Sequence, residues 1–109
     1  MPVSPISIGP VTVHDPVVLA PMTGVSDLPF RTLVKRFGAG LVVSEMIASR
    51  AMLLEKKDTL RMASFDEREY PYAVQLAGCE PEVMAEAARM NEARGATLID
   101  INFGCPVKK

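Results

Sequence analysis

Cys105 stands between Gly104 and Pro106, and Cys79 is the only other cysteine among the 109 residues. A glycine and a proline around one thiol fit a sharp turn that aims the side chain away from the chain's course. An ordinary thiol is mostly protonated at neutral pH, which suits a general acid better than a resting nucleophile. By position alone Cys105 could equally be a small buried hydrophobe. Other polar or unusual residues recur in the same setting, just after short apolar runs. Pro21-Met22-Thr23 follows Val17–Ala20, Glu45 follows Leu41–Val43, Gln75 lies inside Tyr72–Ala77, and Asn102 precedes Cys105. Gln75 offers both a donor and an acceptor, although a strand-end glutamine can also be satisfied by backbone. Glu45 could meet a substrate, but holding a neighbouring loop is the simpler role. Asp100 alternates with Ile99 and Ile101; if buried it needs a partner, for which Arg31 is a candidate. Cys79 and His14, each alone at a turn, read as structural or incidental.

These residues need elements to bring them together. Ile6-Ser7-Ile8 and Val11-Thr12-Val13 flank Gly9-Pro10, which predicts a hairpin within residues 1–16. Val17–Ala20 is continuously apolar, as for a strand buried on both faces. Ser26 is a candidate cap for a helix with Asp27 in its first turn and Pro29 early enough to be tolerated. Phe30, Leu33, Val34 and Phe37 keep helical spacing up to Gly38, which ends the helix. Leu41–Val43 predicts a second strand closing on Ser44-Glu45-Met46. Helix is expected from about Ser49 to Lys57, with a turn or short helix to Met62. The charged run Asp66–Glu69 reads as a loop, and Tyr72–Ala77 as a third strand. Pro81 opens a third helix ending near Gly95, with Val83, Met84, Ala87, Ala88 and Asn91 on one face. Thr97–Phe103 is a fourth strand.

Strands alternating with helices imply an α/β protein with a parallel sheet. No glycine-rich dinucleotide fingerprint or phosphate loop follows the first strand, which weighs against a dinucleotide-binding doubly wound fold. Polar residues at successive strand ends favour a TIM (β/α)₈ barrel, where such ends converge on one face. The chain supplies about four strand–helix units, the N-terminal half of such a barrel, over residues 17–109. A half barrel leaves two open edges.

Composition excludes several classes. Hydrophobic residues make up 49% and charged residues 23%, as in ordinary globular proteins. No apolar run reaches the roughly 20 residues of a membrane span, and the N-terminus lacks a secretory pattern, so a cytoplasmic protein without membrane partner is expected. Two cysteines make neither a disulfide framework nor a metal site. A net charge of −1 gives no nucleic-acid footprint; Lys56-Lys57 reads as a solvated pair.

Four segments together carry a family resemblance. Ala20-Pro21-Met22-Thr23-Gly24-Val25-Ser26-Asp27-Leu28-Pro29-Phe30-Arg31 resembles the opening signature of the tRNA-dihydrouridine synthases. Gly38-Ala39-Gly40-Leu41 leading to Ser44-Glu45-Met46, Val74-Gln75-Leu76-Ala77-Gly78, and Ile99-Asp100-Ile101-Asn102-Phe103-Gly104-Cys105-Pro106-Val107-Lys108-Lys109 follow in the family's order. The likeness is closest to the bacterial branch related to the nitrogen-regulation-locus protein. It implies an FMN-binding (β/α)₈ barrel followed by a helical domain, which reduces particular uridines of tRNA and uses NADPH to reload the flavin. It further implies hydride delivery to uracil C6 and a proton from Cys105 to C5. Pro21, Met22 and Thr23 are expected to lie against the flavin through their backbone. Gln75 is expected to bond its pyrimidine edge, and Asn102 to sit near flavin and substrate. The target base must be turned out of its stack to reach such a site. Most tRNA contacts, the flavin-phosphate site and a cofactor-contacting lysine are expected in later strands and the helical domain, so the 109-residue chain by itself is expected to hold FMN poorly. A dihydroorotate dehydrogenase-like FMN barrel and a non-catalytic half barrel are the alternatives.

Overall fold

The computed structural model describes residues 3–105. Pro106, Val107 and the Lys108-Lys109 pair of the cysteine motif lie outside the described residues. β1 (Ile6–Ile8) and β2 (Val11–Val13) pair antiparallel, with Ile6 opposite Val13. Gly9 adopts φ 57° at the turn between them, a left-handed conformation that glycine enters without steric cost.

The main sheet contains β3 (Val18–Leu19), β4 (Leu41–Val43), β5 (Ile47–Ala48), β6 (Tyr72–Ala77) and β7 (Leu98–Ile101). All its ladders are parallel. Ala73 of β6 pairs with Val43 on one side and Leu98 on the other; Leu76 pairs with Ile47 and Ile101. β4 and β5 therefore share one edge of β6, and β7 takes the opposite edge. The sheet then runs β3, β4 with β5, β6, β7, in chain order and without reversal. The common doubly wound orders reverse direction within their first four strands, so this topology departs from them.

Alternation along the strands sorts their residues into two faces. Val42, Tyr72, Val74 and Leu76 meet Met52 of α2 (Ser49–Leu53) and Ala87 of α4 (Pro81–Ala93) in the larger core. Leu41, Val43 and Ala73 form a smaller cluster with Val13 of β2, and Leu98 packs against it. The face carrying Ala73 also carries Gln75. α4 begins at Pro81 as expected, and it buries Ala87 and Asn91 toward the sheet. Gly40 admits no side chain, because a Cβ there would lie 1.7 Å from the Asp15 carbonyl oxygen. That close approach seats the hairpin's exit against the start of β4.

Several expectations need correction. Val17–Ala20 is not buried on both faces: β3 spans two residues and has one neighbour among the described residues, and Val17 just before it is 61% exposed. The cap of α1 (Leu28–Arg36) is Asp27, whose carboxylate accepts from the Phe30 N–H at 3.0 Å. Ser26 is turned away from that helix. The second strand closes on Ser44-Glu45-Met46 as expected, with the Ser44 N–H still bonded to the Ala73 carbonyl at 2.9 Å, but a further short strand, β5, follows it and pairs with β6. Helix from Ser49 stops at Leu53, and Glu55 at φ 51° separates it from α3 (Lys57–Met62). The run Asp66–Glu69 contains a 3₁₀ turn, Glu67–Glu69, closed by a capping box. The fourth strand is shorter than expected, although the Thr97 and Asn102 N–H groups continue its bonding to β6.

Candidate functional site

The carboxyl ends of β3, β4, β6 and β7 bring four loops to one end of the sheet. The first loop, residues 20–27, is held from three directions. Ser26 Oγ accepts from the Met22 N–H at 2.9 Å and donates to the Met22 carbonyl. Glu45, just past β4, accepts from the Gly24 N–H at 2.7 Å. Arg31 Nη1 donates to the Ser26 carbonyl at 2.7 Å. Glu45 thus performs the loop-holding role. Both backbone polar groups of Met22 are engaged inside the loop, so what Met22 offers outward is its thioether side chain, 37% exposed. Thr23 is exposed at the turn. Pro21 lines a recess of about 270 Å³ on the face that carries Val43, Ala73 and Asp100.

A second group forms where β6 and β7 run side by side. Gln75 and Asp100 are register partners, and their side chains meet: Gln75 Nε2 donates to Asp100 Oδ2 at 2.7 Å. Asn102 Nδ2 donates to Gln75 Oε1 at 3.3 Å and contacts the Met46 sulfur at 3.4 Å. The Gln75 backbone N–H is bonded to Ser44 Oγ at 3.0 Å, and Ser44 is fully buried. A glutamine amide has two N–H bonds, so one Gln75 donor remains beyond the Asp100 contact. Two of the candidate residues, Gln75 and Asn102, are therefore in contact, and Pro21 shares its recess with Asp100, the partner of Gln75.

Asn102 also shapes the approach to the cysteine. Its Oδ1 accepts from the Gly104 N–H at 2.9 Å, a side-chain turn that breaks the strand direction. Cys105 follows one residue later and is exposed, as is Cys79. Phe103, 93% exposed, stands on the same turn. Gly104 has no neighbouring atom that excludes a side chain.

Arg31 does not pair with Asp100. It lies on the helix-covered face, fully buried, with Nε donating to Glu69 at 2.7 Å and its carbon centre 5.1 Å from the Tyr72 ring. Nη2 donates to the Ser64 carbonyl at 2.7 Å. Glu69, also fully buried, was missed by the sequence reading, although Asp66-Glu67-Arg68-Glu69 has the D-x-x-E form of a capping box. Ser44 carried no comparable signal.

The candidate cofactor-facing residues are Gln75, Asn102 and the Pro21–Thr23 loop, with Asp100 bonded to Gln75 behind them. Among the described residues, no group of three or more histidine, cysteine, aspartate or glutamate side chains could hold a metal ion. No helix among them is long and apolar enough to cross a membrane.

A parallel α/β sheet with an amide–carboxylate cluster at its carboxyl end, and an exposed thiol on the loop that follows, belongs to the class whose ligands sit at that end. Comparison with known proteins narrows the class. The family model described as dihydrouridine synthase matches residues 18–109. A probable tRNA-dihydrouridine synthase of Rickettsia bellii is 61% identical over 105 residues, covering 95% of this chain and 32% of that protein. A tRNA-dihydrouridine synthase B of Pseudomonas syringae pv. tomato is 52% identical over 107 residues, covering 97% and 32%. A probable tRNA-dihydrouridine synthase of Rhodobacter capsulatus is 52% identical over 105 residues, covering 95% and 32%. The chain belongs to the dihydrouridine synthase family, and it spans about a third of the length of these relatives.

Proposed function

We propose that this chain supplies the first four strand–helix units of an FMN-dependent (β/α)₈ barrel that reduces uridine in tRNA to 5,6-dihydrouridine. In this reading residues 1–16 form the N-terminal hairpin and residues 17–109 the opening part of the barrel. NADPH is the external reductant, and the protein works in the cytoplasm, where its tRNA substrate is. Family membership supports the reading, as do the printed names of the relatives. The strand order β3, β4, β6, β7 supports a barrel over a doubly wound sheet.

The observation that carries the chemistry is the Asn102 turn. It connects a strand-end amide cluster to an exposed thiol within a few residues. The donor set fits a flavin: Gln75 retains an N–H for a polar ring edge, and Pro21 and Met22 offer apolar surface. FMN, when bound, supplies the hydride for C6 of the uracil ring. Cys105 holds a proton on Sγ and delivers it to C5, so that the C5–C6 double bond gains one hydride and one proton. Asn102 fixes the turn from which Cys105 acts, and Pro21, Met22 and Thr23 form the loop beside the ring.

The test is Cys105→Ala in the complete FMN-loaded enzyme. Bound flavin should stay at the wild-type level, while uridine reduction in tRNA falls by about 10²–10⁴-fold, the usual worth of a positioned proton donor. Unchanged turnover removes Cys105 from the acid role. Orotate serves as a control substrate, and its reduction in preference to tRNA uridine would move the protein to another flavin-barrel activity.

A further inference from the structure

Gln75 can face a ligand in two ways that differ by a turn of its amide. One presents an N–H, the other a carbonyl oxygen. The surrounding groups decide between them. Asp100 Oδ2 lies 2.7 Å from Nε2, and a carboxylate only accepts hydrogen bonds. On the other side Asn102 Nδ2 donates to Oε1 at 3.3 Å. Asn102 is in turn committed by the bond from the Gly104 N–H to its Oδ1. That bond keeps the Asn102 oxygen away from Gln75 and its NH₂ toward it. Turning the Gln75 amide over would place oxygen against the Asp100 carboxylate and NH₂ against NH₂.

We propose that Asp100 is a positioning residue that locks the Gln75 amide so that the site offers its ligand an N–H donor and not a carbonyl acceptor. The ligand group opposite Gln75 is then a hydrogen-bond acceptor, a ring carbonyl or an unprotonated ring nitrogen. This rests on the flavin-binding reading, under which the acceptor is one of those on the pyrimidine edge of FMN. Asp100 acts through Gln75 and need not touch the flavin. The register supports the assignment, because Gln75 and Asp100 are direct cross-strand partners and their side chains leave the sheet on the same face.

The experiment uses the complete protein and FMN as the probe, with FMN affinity and the visible flavin spectrum as readouts. Asp100→Asn keeps an oxygen that can accept from Gln75, so affinity should stay within about twofold and the spectrum should be retained. Asp100→Leu releases the amide, and affinity should fall about tenfold or more, as for loss of a hydrogen bond held by a charged group. Its flavin spectrum should move toward that of Gln75→Leu. In a Gln75→Leu background, Asp100→Leu should have no further effect, which an independent structural role would not reproduce. Additive losses in the double variant, or Asp100→Leu at wild-type affinity and spectrum while Gln75→Leu is impaired, overturn the positioning role and leave the flavin site standing. If Gln75→Leu itself binds FMN with unchanged affinity and spectrum, the flavin contact and the proposal fall together. Gln75→Glu adds an independent check. It removes the N–H donor, so it should lose as much affinity as Gln75→Leu; wild-type affinity there would mean that the ligand faces an oxygen.

Discussion

Among single residues, Gln75 draws its hydrogen-bond partners from across the sheet, Asp100 at 2.7 Å and Asn102 at 3.3 Å. Gln75 and Asn102 were recognisable as candidates from their type and their place at strand ends. The partner of Asp100 was not, because it depends on register across the sheet. Gln75 and Asp100 become neighbours only when β6 and β7 align as they do, whereas Arg31 belongs to the other face. Tyr72 shows the same dependence on context. Its ring lies in the core beside Phe65 and Arg31, and its hydroxyl donates to the Ala63 carbonyl at 3.2 Å. Burial, partly opposed by the nearby Arg31 charge, pushes the phenol up to about 12. The folded state therefore favours the neutral phenol. The stability that follows is fully present below the ordinary phenol value near pH 10, and is lost as pH rises from there through about 12. Tyr72→Phe should cost about 1 kcal/mol at neutral pH for the lost hydrogen bond, but its unfolding free energy should decline less steeply than wild type above pH 10. Denaturant titrations across that range measure the difference. Parallel curves would show that Tyr72 ionisation does not contribute.

At the scale of elements, the helix ends and the third strand were legible and the connections less so. Pro81 at the start of α4 and Gly38 after α1 are local signals, and the structure uses both. Ser26 was the expected cap and Asp27 a first-turn residue; tertiary demand moves the cap to Asp27, since Ser26 is occupied by Met22. The Asp66–Glu69 run reads locally as a loop because its decisive partner is 38 positions away. Arg31 ties α1 to the 3₁₀ turn through Glu69, to the segment after α3 through Ser64, and to the candidate flavin loop through Ser26. This buried pair is a case where removing one partner is worse than removing both. Arg31→Met should destabilise the protein by about 3–5 kcal/mol, because Glu69 is left charged in the core. The double variant Arg31→Met with Glu69→Leu should recover part of that loss, because no lone charge remains buried. Thermal and denaturant unfolding of the two proteins give the comparison. A double variant less stable than Arg31→Met would show that the ion pair's neighbours, not its uncompensated charge, set the cost.

At the scale of the whole molecule, the alternation of strands and helices gave away an α/β protein but could not choose its closure. Barrels and doubly wound sheets share the same local pattern; they differ in which strands pair. Among the described residues β3 pairs only with β4, and β7 only with β6, so there both outer strands present open edges beside exposed apolar residues. Val17 and Val18 lie at one edge, Ile101 and Phe103 at or beyond the other. Such edges favour pairing with other chains. In the proposed barrel they are joined by further strands, and the apolar side chains beside them are covered. A polypeptide of these 109 residues expressed alone should therefore self-associate as its concentration rises, and the complete barrel should not. Sedimentation velocity over a concentration series provides the measurement. A charged substitution at each edge, Val18→Lys with Ile101→Lys, should reduce association of the 109-residue chain, yet impair folding of the complete protein, where those positions become interior or paired. A chain that stays monomeric at high concentration without those lysines would mean that the edges are protected in another way and do not drive association.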